Sequence, residues 1–413
     1  MIGCYNSLAR LTVISSLQFH RKTVQRGEMY ITETFRRFSV ALSSNQPLDF
    51  RQDEVQYVIK QWRAGESVSL VGVGSVGKSN LLDHLTDPEI QAHFLRTAPD
   101  KNIKAIKIDP NMLGPLPLPA GSSDAVAIRC WSGYELLMHR MFLAFYPFKV
   151  LEKQEARRFY EIYQALQDGT NPIYPYMGIR YLELGLDFFL RRGVHLVFIF
   201  DDFEEMLLQM PVKFFQTLRG LRDNHKYRLS YTTFTRSPLS ELIDRHAIPR
   251  DKIEGFLELF TDNVCYVGPY NLRDAHRMID RLTNRYQVTY SGHIQDALLR
   301  VTGNHAGLLR ACYRALASLD AHRLSDEALA DELISLPPVR DECNGVWMSL
   351  NATEQQVLTR VAHDEDRDIS QQKLQIINTL IQKQLLRADN NNLHLEVSPP
   401  IFKVFVMTLS KTG

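Results

Sequence analysis

Short apolar runs separated by longer amphipathic stretches set the frame of this chain. Val68-Ser69-Leu70-Val71 and Val194-His195-Leu196-Val197-Phe198-Ile199-Phe200 are nearly continuous in apolar character, as strands buried on both faces are. Ile103-Lys104-Ala105-Ile106-Lys107-Ile108-Asp109 alternates, and Arg228-Leu229-Ser230-Tyr231-Thr232-Thr233-Phe234 adds a further strand. Between them the spacing turns helical. Val55, Val58 and Ile59 share one face, and helices are expected over residues 133–146, 151–167 and 177–192. The aromatics of that region, Tyr134, Phe142, Phe145, Tyr160 and Tyr163, read as buried helix faces rather than a stacking surface for a ligand.

After about residue 245 the pattern becomes mostly helical, with Ala275, Met278, Ile279 and Leu282 on one apolar face. Thr302-Gly303-Asn304-His305-Ala306-Gly307 breaks it, and Pro337-Pro338 reads as a linker. Residues 351–413 follow the pattern of a winged helix. A helix to Ala362 and a second opened by Ser370-Gln371-Gln372-Lys373 precede two short strands that flank Ala388-Asp389-Asn390-Asn391-Asn392. The expected organisation is an extension over residues 1–45, an α/β core over 46–245, a helical lid over 246–340 and a winged-helix domain over 341–413.

Composition excludes more than it identifies. The 413 residues suit two or three domains, and the net charge of +1 gives no global field toward nucleic acid or a membrane. The five cysteines form no C-x-x-C pair, which argues against a zinc site or a disulfide framework and for a reducing cytoplasm. No apolar run is long enough to span a bilayer. The stretch before Glu28 has Arg10, Arg21, Lys22 and Arg26 but no acid; it is read as an extension, with an organellar transit peptide as the alternative.

Chemistry concentrates at two strand ends. Gly72-Val73-Gly74-Ser75-Val76-Gly77-Lys78-Ser79 matches G-x-x-x-x-G-K-[ST] at every fixed position and lies between a strand and a helix. Glycines let the backbone approach phosphates, and the loop N–H groups with the following helix N-terminus face the anion. Nucleotide contacts are therefore expected from Gly72, Gly74, Ser75, Val76, Gly77, Lys78, Ser79 and Asn80, with Lys78 reaching the β- and γ-phosphates. The second end is Asp201-Asp202-Phe203-Glu204-Glu205. Asp201 and the Ser79 hydroxyl are expected to hold Mg²⁺, and Asp202 to activate water, with Glu204 or Glu205 as substitutes. Arg236, or else Thr235, could sense the γ-phosphate. Arg219 and Arg222 are read as a solvated helix end rather than as arginine fingers for a neighbour.

The order of these parts over residues 46–410, with the specific motifs at 72–79 and 198–205, resembles the STAND branch of the AAA+ ATPases and the related archaeal origin-recognition ATPases. The resemblance implies a P-loop NTPase core with a parallel sheet, a helical lid and a C-terminal winged helix. It also implies ATP or ADP with Mg²⁺, slow hydrolysis, and a switch between closed and open states, often through self-assembly. The chain departs from the family pattern in places. Phe50-Arg51 stands where a glycine-arginine pair often meets adenine, which leaves Arg51 as the candidate, and Gly303-Asn304-His305 stands where glycine-x-proline is common. Asp202 replaces the glutamate of many fast ATPases, and its shorter reach favours slow turnover. No Asn-Lys-x-Asp guanine motif occurs, so adenine is expected.

Two functions follow. One is a nucleotide-operated switch acting on an unidentified protein partner or on its own copies. The other is a DNA-binding ATPase, a loader or targeting factor that uses Lys373 and Lys383 on the second winged-helix helix. Charge opposes the latter: residues 351–413 carry seven basic and seven acidic side chains, and phosphate contacts need a positive face.

Overall fold

The apolar runs become a five-stranded parallel sheet. In this computed structural model, which describes residues 46–95, 102–113, 125–168, 173–319, 325–364, 371–388 and 395–409, the strands are β1 (Val68–Val71), β2 (Asn102–Ile108), β3 (Val194–Phe200), β4 (Leu229–Thr235) and β5 (Val264–Tyr266). Their order is β2-β3-β4-β1-β5. Every pair is parallel, with Val71 opposite Thr235 and Ile108 opposite Phe200. The fold is thus α/β, as read from sequence. The N-terminal extension lies outside the described residues.

Period-2 alternation divides the sheet between two cores. On one face, Val197 and Ile199 of β3 pack with α1 (Gln52–Ala64) and α2 (Lys78–Thr86). On the other, Leu196, Phe198 and Phe200 meet α4 (Ala125–Phe145), α5 (Lys153–Gln167) and α6 (Tyr174–Leu190); a short α3 (Pro88–Leu95) lies between α2 and β2. The aromatics of α4–α6 are packing groups: Phe142 stacks on Tyr163 with centroids 4.4 Å apart, and Phe145 on Phe189 at 3.9 Å. The helices α7 (Phe203–Gln209), α8 (Val212–Asn224), α9 (Leu239–Arg245) and α10 (Arg250–Leu257) complete this part.

The sheet takes its fifth strand from beyond residue 245, where the chain then becomes helical. α11 (Leu272–Tyr286), α12 (Gly292–Thr302), α13 (Ala306–Ala315) and α14 (Asp326–Ser335) follow. Pro337-Pro338 is not a linker. The two prolines open α15 (Pro337–Met348), where proline's missing N–H costs nothing. Then come α16 (Ala352–Ala362), α17 (Gln371–Gln382), an antiparallel pair β6 (Leu386–Ala388) and β7 (Leu395–Val397), and α18 (Pro400–Leu409). The expected wing tip, Asp389 to Asn392, lies outside the described residues. One apolar cluster runs from α1 and β1 through the lid helices to α18. No helix among the described residues is long and apolar enough to cross a membrane.

Candidate active site

Parallel strands put their carboxyl ends, and the loops after them, on one edge of the sheet. Because β4 lies between β1 and β3, its end at Thr235 and Arg236 falls between the glycine loop and the acids. A cavity of about 320 Å³ opens there. Gly74, Ser75, Gly77, Lys78, Ser79, Asn80, Asp201, Asp202 and Arg236 all line it. Gly72 and Val76 are buried behind it as supports: the Gly72 N–H donates to the Thr235 carbonyl at 3.0 Å, and Val76 is fully enclosed. Thr235 is buried too, with a hydroxyl that has no hydrogen-bond partner among the described residues.

Gly77 is where glycine is required. Its φ is +103°, and a Cβ would lie 2.9 Å from the Tyr270 hydroxyl, which itself accepts from Asn80. Lys78 begins α2 and folds back so that Nζ donates to the Gly72 and Val73 carbonyls, at 2.5 and 3.0 Å. Burial pulls its pKa down to about 8, against the opposing pull of Glu204. The Asp201 pKa is raised by burial, offset in part by Lys107, whose ammonium lies 3.4 Å from Oδ2 and 3.3 Å from Asp83. Asp202 holds a left-handed backbone at φ 37°, a strained setting, and the half-buried residue lines the cavity. Glu204 does not line the cavity. Its carboxylate accepts the Arg236 backbone N–H and so fixes the strand-end turn, and burial raises its pKa.

Arg51 also stays out of the cavity. It is 1% exposed, with guanidinium donors 2.8 Å from the Val76 carbonyl and 2.9 Å from that of Gly268, and it stacks on Tyr270. In this arrangement it ties the phosphate loop to the chain leaving β5. Arg219 and Arg222 engage acids of their own chain, Asp223 and Glu66.

The lid supplies residues that sequence reading did not assign to the site: Met278, Ala306, Gly307 and Arg310. The signal for them was the helix break at Gly303-Asn304-His305. His305 caps α13 through Nδ1, which accepts from Leu308, and burial holds its pKa down to about 3, so it stays neutral. The capped helix then meets the loop, with the Gly307 N–H donating to the Ser75 carbonyl at 3.0 Å. From the other side the Gly74 N–H donates to Ser349 Oγ at 3.2 Å, just after α15, and Asn351 donates to Glu241 of α9 at 2.6 Å. The loop is gripped by two elements at once.

A parallel sheet with a phosphate loop after β1 and acids after β3 is the P-loop NTPase fold. No family model matches the chain, and no curated protein does. Several solved structures are similar in architecture. A Walker-type ATPase of Pyrococcus abyssi has 12% identity over 86% of this chain and 95% of its own, with a TM-score of 0.46. The ORC2 protein of Aeropyrum pernix, solved as ADPNP-ADP complexes, has 10% identity over 87% and 93%, at 0.44. The ORC1 protein of Aeropyrum pernix in complex with DNA has 11% over 88% and 94%, at 0.36. At such identities and scores the likeness does not extend to a shared activity.

Proposed function

We propose that this chain is an AAA+-type P-loop ATPase that binds ATP or ADP with Mg²⁺, hydrolyses slowly and acts as a nucleotide-dependent switch. The observation that supports it most is the convergence of the phosphate loop, two acids and the cations Arg236 and Arg310 on one cavity. Ser79 and Asp201 suit Mg²⁺, which takes few protein ligands and completes its shell with phosphate oxygens and water. Bound there, the ion would neutralise phosphate charge. Lys78 would bridge the terminal phosphates, and Asp202 would accept a proton from the attacking water. Arg236 and Arg310 would stabilise the charge that develops on the transferred group.

The grip on the loop supports the switch. Gly74 and Ser75 touch α15 and α13, so a phosphate arriving beside them bears on both contacts at once. A ligand shifts such an equilibrium by its differential affinity for the two arrangements. We read the C-terminal unit as a winged helix that passes the change to a protein partner or a second copy. DNA is the weaker partner. Lys383 is sealed in a 2.6 Å ion pair with Glu354, with 0% and 1% of the side chains exposed, and offers nothing to phosphates; the Lys373 side chain lies outside the described residues. We assign the protein to a reducing cytoplasm, since Cys130, Cys265, Cys312 and Cys343 are free thiols.

The test is the nucleotide released by heat from purified protein, together with calorimetric titration of Mg·ADP. Stoichiometric ADP, and a loss of about 150-fold in affinity on Lys78→Ala, are expected. Unchanged affinity in that variant refutes the site.

A further inference from the structure

A second concavity, of about 530 Å³, is bordered by α11, α13 and α15. Arg285 from the last turn of α11, Arg310 and Arg314 from α13, and Pro337, Pro338 and Glu342 from α15 surround it. Arg310 and Arg314 are four residues apart and share a helix face. Beneath them the alanines at 311 and 315 leave the space open. The Tyr286 ring steadies two of the guanidiniums, 5.7 Å from Arg285 and 5.9 Å from Arg314. Such stacking orients a guanidinium and leaves its N–H fork free. Among the described residues no carboxylate pairs with Arg285 or Arg314, and Arg310 has only Glu342, at 3.9 Å. The groove therefore holds a surplus of positive charge in a chain whose net charge is only +1.

We propose that this groove binds a small phosphorylated metabolite through its phosphate groups. Planar guanidinium forks match phosphate oxygens two at a time, and three of them converge here. The volume suits a small molecule. A nucleic acid calls for cations spread along a backbone, whereas these three arginines border one concavity together with Pro337 and Pro338.

Arg310 also lines the first cavity. One guanidinium cannot serve a phosphate in both places, so an occupant of the groove draws Arg310 away from the nucleotide and weakens ATP binding. By linkage ATP weakens the occupant equally. This coupling rests on the reading of the first cavity as the nucleotide site; the groove's own affinity for phosphate does not.

The experiment is calorimetric titration of the full chain, saturated with Mg·ADP, with inorganic pyrophosphate and with fructose 1,6-bisphosphate. Saturable one-site binding is expected, weakened about tenfold or more by Arg285→Ala and by Arg314→Ala, with thermal unfolding and ADP content unchanged in both. Nucleotide-free Lys78→Ala should still bind the probes. ATP affinity of the parent protein should fall at least about threefold at saturating bisphosphate. The proposal is overturned if neither probe binds saturably. It is equally overturned if Lys78→Ala abolishes probe binding while the two arginine variants retain it, since the anions were then entering the first cavity. Arginine variants that lose only duplex DNA or an acidic peptide would also overturn it. Probe binding with unaltered ATP affinity refutes the coupling. Normal ADP binding by Lys78→Ala, with probe binding intact, refutes the first site and leaves the groove standing.

Discussion

Replacing Gly307 with alanine tests whether the lid must rest on the phosphate loop for nucleotide to be held. Gly307 stands in the first turn of α13, with its N–H 3.0 Å from the Ser75 carbonyl. A methyl group here would lie 2.1 Å from a Glu342 carboxylate oxygen and 2.6 Å from Ser75 Cβ. The carboxylate ends a flexible side chain and can swing aside. Ser75 cannot, because it is held at φ 55° within the loop. Since carbon atoms pack at about 3.5–4.0 Å, α13 and the loop must separate by roughly an ångström. Overfilling a packed seam costs about 1–3 kcal/mol. If closure is linked to binding, that cost becomes a loss of about 5- to 150-fold in Mg·ADP affinity. Isothermal titration of Gly307→Ala reads it directly. Gly220→Ala is the control: a Cβ there meets nothing within 4 Å. It should bind normally and gain up to about 1 kcal/mol of stability from helix propensity. Adding Glu342→Ala to Gly307→Ala should restore only part of the affinity. Binding within twofold of the parent protein, or full recovery in the double variant, refutes the argument.

Other expectations follow from the same geometry. The free-protein pKa of Lys78, about 8, must rise when phosphate binds, so Mg·ADP affinity should be flat below pH 8 and fall about tenfold per unit above it; an affinity that holds steady to pH 9.5 contradicts this. Asp202→Asn should leave ADP affinity unaltered and slow ATP turnover by about 10²–10⁴-fold, measured as phosphate release, whereas normal turnover moves the water-activating role to another group. Lys383→Met strands the buried Glu354 carboxylate and should cost about 3–5 kcal/mol in urea unfolding; a loss under about 1 kcal/mol would sink the idea of a sealed pair.

What the sequence disclosed, and what it hid, has physical reasons. β1 and β3 were legible because strands buried on both faces run nearly continuous in apolar residues, β2 because its apolar positions alternate, and β4 because β-branched and aromatic residues crowd it. β5 was not: its three residues sit at the edge, partly exposed, and make a run too short to stand out. Gly74, Ser75, Gly77, Lys78, Ser79 and the two acids, which the structure brings to one cavity, were legible because the phosphate and metal chemistry proposed for them constrains residue type and spacing. Arg310 was not, since an arginine on an amphipathic helix looks like any solvated charge until the helix break at Gly303 swings it over the loop. Lys383 misled in the opposite direction, as a lysine at a helix end looks exposed while its partner, Glu354, lies 29 residues away. Pro337-Pro338 carried a signal for both a linker and a helix start, and only the neighbouring apolar positions decide between them.

The single apolar cluster that joins sheet, lid and C-terminal helices bears on how any of this can move. α18 packs against α12 and α14 of the lid and against α16 of the terminal unit. A swing about a free hinge would tear this greased joint open and wet the side chains packed between α18 and the lid helices. Sliding of packed helices past one another would not. The travel to look for is therefore a shear of an ångström or two, spread over many contacts. Among the described residues a protease should find no seam at which to part the pieces, and a C-terminal truncation should leave the joint unlubricated instead of releasing a free-standing module.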